Sequence, residues 1–264
     1  MQTLDLINYN KSDIKYKLVN FPDGEPHIIL NEVDRKDSVH INCRICNPND
    51  LFILLQIGDI LNRQAVPFSI NIYYLMSMRM DRVITFNESF SLKVVADLIN
   101  SINPTSVHVW EPHSIRTSEL INNCVVIPSV IPQIDNSIKV YPDAGAFIRY
   151  NGDPTQDVVC KKVRDPKTGA LLEFSISNPE VIENNLDKTL LVIDDLCDGG
   201  GTFAGIAALL EPYNMKKCIY VTHMVNPKGI KTLSDNYDQV LFTNSYKNWF
   251  EEVIPNNVTV FSII

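Results

Sequence analysis

The chain has 264 residues, 45% of them apolar, and carries a formal net charge of −8 at neutral pH. That length and composition fit one large or two smaller α/β domains with a sizeable core. The acidic balance, without a basic run, argues against a surface that tracks nucleic-acid phosphates. No apolar stretch approaches the ~20 residues of a membrane-spanning helix, and Met1 to Asp5 has neither the basic nor the apolar region of a secretory signal. The six cysteines, at 43, 46, 124, 160, 197 and 218, lie mostly within apolar segments, as reduced, packed thiols of a cytoplasmic protein do. Cys43 and Cys46 form a C-x-x-C without a second pair to complete a zinc site, so packing is the better reading for them than redox chemistry.

Strand-like and helix-like segments alternate along the chain. The patterns predict strands at 27–30, 39–43, 68–74, 106–110, 139–141, 190–193, 218–222 and 239–243, and helices at 50–63, 90–102, 115–123 and 203–213. Asp50 reads as the N-cap of the first helix and Ser89 as that of the second, whose apolar face holds Leu92, Val95, Ala96 and Ile99. Such alternation predicts parallel sheets covered by helices. A proline-bearing stretch, Ile127 to Ser137, interrupts it and marks the expected boundary between domains 1–130 and 131–264. The charged segment 151–183 reads as an excursion from the second domain, of the kind that serves as a functional flap.

The most informative segment is 190–202. The apolar run Leu190 to Ile193 leads into Asp194 and Asp195, then Asp198, Gly199, Gly200, Gly201 and Thr202, and the apolar run Phe203 to Leu210 follows. This is a buried strand, a tight loop and a helix. Glycines let successive backbone N–H groups point into one concavity, and the helix start adds partial positive charge, so the loop is a phosphate cradle. Carboxylates repel phosphate and must face hydroxyls or a metal instead; a ribose phosphate satisfies both halves. The alternative is a plain glycine turn solvated by acids, which the diacid, the third acid and Gly-Gly-Gly-Thr together disfavour.

The loop resembles the ribose-phosphate loop of type I phosphoribosyltransferases and of the phosphoribosyl-pyrophosphate (PRPP) synthetases, whose usual pattern is Asp-Asp-x-x-Asp-Thr-x-Gly-Thr. Here Gly199 stands in place of the first threonine. Four further segments resemble PRPP synthetase motifs in the same order. Phe21-Pro22-Asp23-Gly24-Glu25 is unchanged from that family's nucleobase-contacting turn, often offered to a neighbouring subunit's ATP. Tyr73-Tyr74 with Arg79-Met80-Asp81-Arg82 resembles its Tyr-Tyr…Arg-Gln-Asp-Arg stretch, with one extra residue and Met80 for glutamine; Arg79 would touch ATP phosphates, and Arg82 is equally a surface charge. Glu111-Pro112-His113 and Tyr141-Pro142-Asp143 resemble its metal- and ribose-side acids, and Lys161-Lys162-Val163-Arg164 its flap Lys-x-Arg. Thr243-Asn244-Ser245 echoes a late strand.

The resemblance implies two tandem phosphoribosyltransferase-like α/β domains, each a mainly parallel sheet flanked by helices, with the active site in the cleft between them. It implies a magnesium-dependent transfer of the β,γ-diphosphate of ATP to the anomeric hydroxyl of a ribose 5-phosphate moiety, with release of AMP. In that scheme Lys162, Arg164 and His113 are catalytic, while Phe21, Asp23, Glu25 and Arg79 bind ATP. Asp194, Asp195, Asp198, Gly199, Gly200, Gly201 and Thr202 bind the ribose phosphate, and Glu111, His113 and Asp143 organise magnesium. A homo-oligomer, dimer or hexamer, is expected, although the short N-terminal segment and the end at Ile264 depart from the family there. Gly199 leaves the acceptor open between ribose 5-phosphate and ADP-ribose. The rival readings are a phosphoribosyltransferase that consumes PRPP, which has no use for Phe21–Glu25 or Glu111–His113, and an inactive regulatory homologue, against which Lys162, Arg164, His113 and the three loop aspartates speak.

Overall fold

A computed structural model describes residues 1–164 and 171–264, with the side chains of 162–164 and 171–174 outside the description. The chain divides into two compact units, Met1–Ser129 and Val130–Ile264.

The first unit is built on a five-stranded parallel sheet ordered β1-β4-β5-β6-β7. These strands are β1 (Gln2–Asp5), β4 (Val39–Ile45), β5 (Phe68–Leu75), β6 (Ser106–Trp110) and β7 (Cys124–Ile127). A separate antiparallel hairpin, β2 (Tyr16–Asn20) and β3 (Pro26–Leu30), is inserted between β1 and β4. Alternate residues of β4 and β5, among them Ile41, Ile70 and Ile72, form one core with Leu54, Ile57 and Leu61 of α1 (Pro48–Arg63) and Leu92, Ala96 and Ile99 of α2 (Ser91–Ser101). Helix periodicity on one side and strand periodicity on the other thus meet in a single apolar layer.

The second unit has a seven-stranded sheet ordered β10-β9-β8-β11-β12-β13-β14. Its parallel strands are β8 (Ser137–Tyr141), β11 (Thr189–Cys197), β12 (Lys217–Met224), β13 (Gln239–Thr243) and β14 (Val258–Phe261). Between β8 and β11 lie α4 (Ala144–Arg149), the antiparallel hairpin β9 (Val158–Arg164) and β10 (Leu171–Ile176), and α5 (Glu180–Glu183). β11 and β12 are buried along almost their whole length, as central parallel strands are. Helices α6 (Gly201–Leu210) and α7 (Pro227–Asn236) cover one face through Phe203, Ile206, Ile230 and Leu233.

Both units share one plan: five parallel strands in chain order, with a hairpin inserted after the first. The mainly parallel α/β architecture expected from the alternation is present.

Several local expectations need correction. Asn47, not Asp50, caps α1: its side chain accepts the Asn49 and Asp50 N–H groups, and Asp50 closes the box by accepting the Asn47 N–H. Ser89 does not cap α2; Phe90 occupies that position without a side-chain bond. The helix expected over 115–123 is the short α3 (Arg116–Leu120), because the chain must turn to enter β7 at Cys124. β11 does not stop at Ile193 but runs through both aspartates to Cys197. Neither Cys43 nor Cys46 is set up for thiolate chemistry; burial pushes both thiols up, Cys46 to about 12.

Candidate active site

In the second unit β11 delivers Asp194 and Asp195 while still paired to β12, in the register Asp194↔Val221 and Cys197↔Met224. The chain then turns through Asp198 and Gly199 to Gly200, at φ +80°, and α6 starts at Gly201. Only glycine takes that left-handed conformation readily, and a Cβ there would also meet Thr232 at 2.9 Å. No side chain caps α6, and its first turn carries no acid. Its leading N–H groups and its dipole therefore favour an anion at the loop. A Cβ on Gly199 or Gly201 would meet nothing within 4 Å, so this side of the loop is open.

The loop is anchored to the start of α7. Asn226, the α7 N-cap, donates its Nδ2–H to Asp198 Oδ1 at 3.0 Å. Gly229 packs so tightly beneath that a Cβ would lie 2.1 Å from the Asp198 carbonyl oxygen.

Arg149, the last residue of α4, donates from Nη1 to Asp195 Oδ1 at 2.6 Å and to Asp194 Oδ1 at 3.4 Å. Asp195 exposes 2% of its side chain and Asp194 17%. Burial and the neighbouring Asp195 carboxylate push the Asp194 carboxyl well above the usual range, and Arg149 opposes that shift. Asp143 caps α4 at its other end, its Oδ1 accepting the Ala146 N–H at 3.0 Å. One six-residue helix therefore joins Asp143 to the diacid. Sequence reasoning missed Arg149; its signal was a lone cation six positions after Asp143.

Lys162 and Arg164 lie on β9, where Lys162 pairs with Phe174 and Arg164 with Leu171. Their side chains are outside the described residues, as is the whole of 165–170, including Lys167.

In the first unit Phe21–Glu25 forms the turn of the β2–β3 hairpin. The Phe21 N–H donates to the Glu25 carbonyl and the Gly24 N–H to the Phe21 carbonyl, both at 2.9 Å, and Gly24 sits at φ +92°. Asp23 Oδ1 accepts the Glu25 N–H, and the Phe21 ring is 47% exposed at the tip. Arg79 is exposed beyond β5. Glu111 leaves β6 with φ +40°, is 4% exposed, and accepts the Ser129 N–H. A non-glycine residue held at positive φ is strained backbone of the kind that collects at functional sites. His113, two residues on, is half-buried.

Sequence reasoning also missed a polar ladder across this sheet. Trp110 Nε1–H donates to Asn71 Oδ1 at 2.9 Å, and Asn71 Nδ2–H to Asn42 Oδ1 at 3.1 Å. Trp110 also stacks on Tyr73, with centroids 5.4 Å apart.

Among the described residues no three His, Cys, Asp or Glu side chains converge as a metal cage. The candidate donors Glu111, Asp143 and His113 are mostly hard oxygen ligands. That suits magnesium, which is usually held by one or two carboxylates together with substrate phosphates.

A family model described as the phosphoribosyl transferase domain matches residues 144–258, which include the strand-to-loop-to-helix junction of the second unit. Over most of its length the chain is similar to ribose-phosphate pyrophosphokinases. It is 26% identical to that of Marinomonas sp. (strain MWYL1) over 246 residues, covering 85% of this chain and 76% of the relative. It is 26% identical to ribose-phosphate pyrophosphokinase 1 of Spinacia oleracea over 267 residues, covering 90% and 77%. The crystal structure of phosphoribosylpyrophosphate synthetase from Mycobacterium smegmatis shares the fold, with a TM-score of 0.79 at 20% identity over 97% of this chain and 88% of that one. The resemblance read from the motifs therefore holds, and the class those names carry, a ribose-phosphate diphosphokinase-type transferase, is the one the motifs imply. No helix among the described residues is long and apolar enough to cross a membrane.

Proposed function

We propose that the chain is a magnesium-dependent pyrophosphokinase acting on the anomeric hydroxyl of a ribose 5-phosphate moiety. The observation that carries this reading is the β11–α6 junction: a buried diacid followed by an uncapped, glycine-led helix start. Asp194 and Asp195 accept hydrogen bonds from the ribose hydroxyls, and the 198–202 backbone holds the 5-phosphate. The anomeric oxygen bonds to the β-phosphorus of ATP, and the bond from that phosphorus to the oxygen bridging the α-phosphate breaks. AMP leaves with that oxygen, and the hydroxyl proton passes to solvent.

Such chemistry needs alignment and charge neutralisation more than a side-chain nucleophile. Glu111, His113 and Asp143 are the proposed ligand set for magnesium, which when bound would neutralise the ATP phosphates. Lys162 and Arg164 stabilise charge on the transferred group, Arg79 contacts the ATP phosphates, and Phe21, Asp23 and Glu25 contact its base. We propose that the protein works as a cytoplasmic homo-oligomer (dimer or hexamer) in which the exposed Phe21 tip reaches a neighbour's ATP.

The open space beside Gly199 supports a second acceptor. A 5-phosphate that continues into a second phosphate and a nucleoside, as in ADP-ribose, would use the space that a threonine side chain would otherwise take. The product would be ADP-ribose carrying a 1-pyrophosphate, a precursor suited to NAD synthesis.

The test mixes the protein with Mg-ATP and each acceptor and resolves the nucleotides by chromatography. AMP formed only with metal and acceptor together supports the proposal; stoichiometric ADP overturns it, and consumption of PRPP with a free base indicates the transferase instead. Lys162→Ala and Arg164→Ala should each lower turnover by ~10²–10³ with little change in acceptor binding.

A further inference from the structure

The diacid of β11 is a poor diol clamp by itself. Two carboxylates on adjacent residues, one almost fully buried, cannot both stay ionised without a cation, and a protonated carboxyl loses acceptor capacity. Among the described residues, Arg149 pairs with both, 2.6 Å from Asp195 and 3.4 Å from Asp194.

Arg149 is itself held in place. It is 19% exposed, and its guanidinium lies 5.8 Å from the Tyr150 ring centroid. Tyr150 stacks on Tyr141 at 6.2 Å, and Phe147 meets the Tyr141 edge at 5.5 Å. The aromatic cluster thus fixes the end of α4 against the sheet.

Resting on the reading of Asp194 and Asp195 as the ribose clamp, we infer that Arg149 is a positioning residue: its shared guanidinium keeps both carboxylates aimed and available as acceptors for the vicinal diol of the ribose ring. Burial and Asp195 push the Asp194 carboxyl up, and Arg149 opposes them. Other titratable groups lie on the surrounding elements. Tyr141 on β8 and Cys197 on β11 have their ionisation pushed up by burial, Cys197 to about 12. His223 on β12 is buried and bonded to Ser245 Oγ at 2.8 Å. Tyr150 is the C-cap of α4, Asp198 adds negative charge, and α6 has no titratable side chain between Gly201 and Leu210. Removing the cation raises the pair's upper titration, so acceptor binding requires a higher pH.

The experiment measures ribose 5-phosphate and ADP-ribose affinity by calorimetry from pH 6 to 9 for the wild type, Arg149→Met and Arg149→Lys, alongside a 13C carboxyl titration of aspartate-labelled protein. Arg149→Met should bind about 10-fold more weakly below neutral pH, the equivalent of a one-unit shift, and recover to within about twofold of wild type by pH 9 as the carboxyls ionise. Arg149→Lys, which retains the charge, should keep the wild-type profile, and it carries the test alone if the methionine variant does not fold. Weakening by the same factor at every pH, or none, overturns the inference. A wild type that binds neither acceptor removes the clamp reading, while the carboxyl titration still decides whether Arg149 lowers the pair.

Discussion

The two units place the same kind of junction after their second parallel strand, and the two helix starts are finished in opposite ways. At β4–α1 the helix start is closed by its own side chains. Asn47 accepts two N–H groups, and Asp50 accepts those of Cys46 at 2.8 Å and Asn47 at 3.2 Å. Donors are consumed and a carboxylate sits in the first turn, which repels anions. At β11–α6 the cap is a left-handed glycine with no side-chain bond and no acid in the first turn. An anion site at a helix start therefore requires more than the dipole: the donors must be left for the ligand, and the capping chemistry that would stabilise the helix must be given up.

The largest effect is expected at the diacid. Asp195→Ala leaves Arg149 without its nearest carboxylate in a largely buried position, and breaking such a pair costs about 3–5 kcal/mol. Urea unfolding monitored in the second unit should show it, whereas Asp195→Asn should weaken acceptor binding with a smaller loss of stability. An Asp195→Ala variant as stable as the wild type would remove the ion pair from the account.

Next comes Gly200→Ala, which forces a side chain into the left-handed region at about 1–2 kcal/mol and presses on Thr232. Both stability and phosphate affinity should fall. If calorimetry with ribose 5-phosphate shows unchanged affinity, the loop is not the phosphate cradle.

Asn47→Ala sharpens the contrast from the other side. It should cost about 1 kcal/mol of stability and leave acceptor affinity untouched, because that junction is closed to ligand.

Gly199→Ala should be nearly silent in stability, within about 0.5 kcal/mol, since its Cβ meets open space. Gly199→Thr should instead move acceptor preference from ADP-ribose towards ribose 5-phosphate, read as the ratio of specificity constants. A strong preference for ribose 5-phosphate in the wild type, unchanged in Gly199→Thr, would sink the larger acceptor.

How much was legible beforehand depended on the range of the interaction. Apolar runs bounded by turn residues located β5, β6, β11, β12 and β13 because burial and backbone geometry act within a few residues. The glycine cluster marked the left-handed turn at Gly200 for the same local reason, and Phe21–Glu25 declared itself a turn through Pro22 and Gly24. Asp50 was misread as the cap because a capping box presents two polar residues three apart, and only backbone direction tells cap from N3. β11 was read too short because polarity changes at Asp194, while the ladder to β12 continues through Cys197 irrespective of side-chain chemistry.

The amino-acid sequence alone determined the alternating α/β plan, the glycine-led loop and the order of the acidic and basic motifs, all of them properties of neighbouring residues. Tertiary structure decided that the second hairpin joins its sheet while the first stands apart. It also decided that Arg149 meets Asp195 across 46 positions of chain. Tyr141, Phe147 and Tyr150 pack together where α4 meets the sheet, and such docking depends on packing between distant segments, which no local pattern encodes.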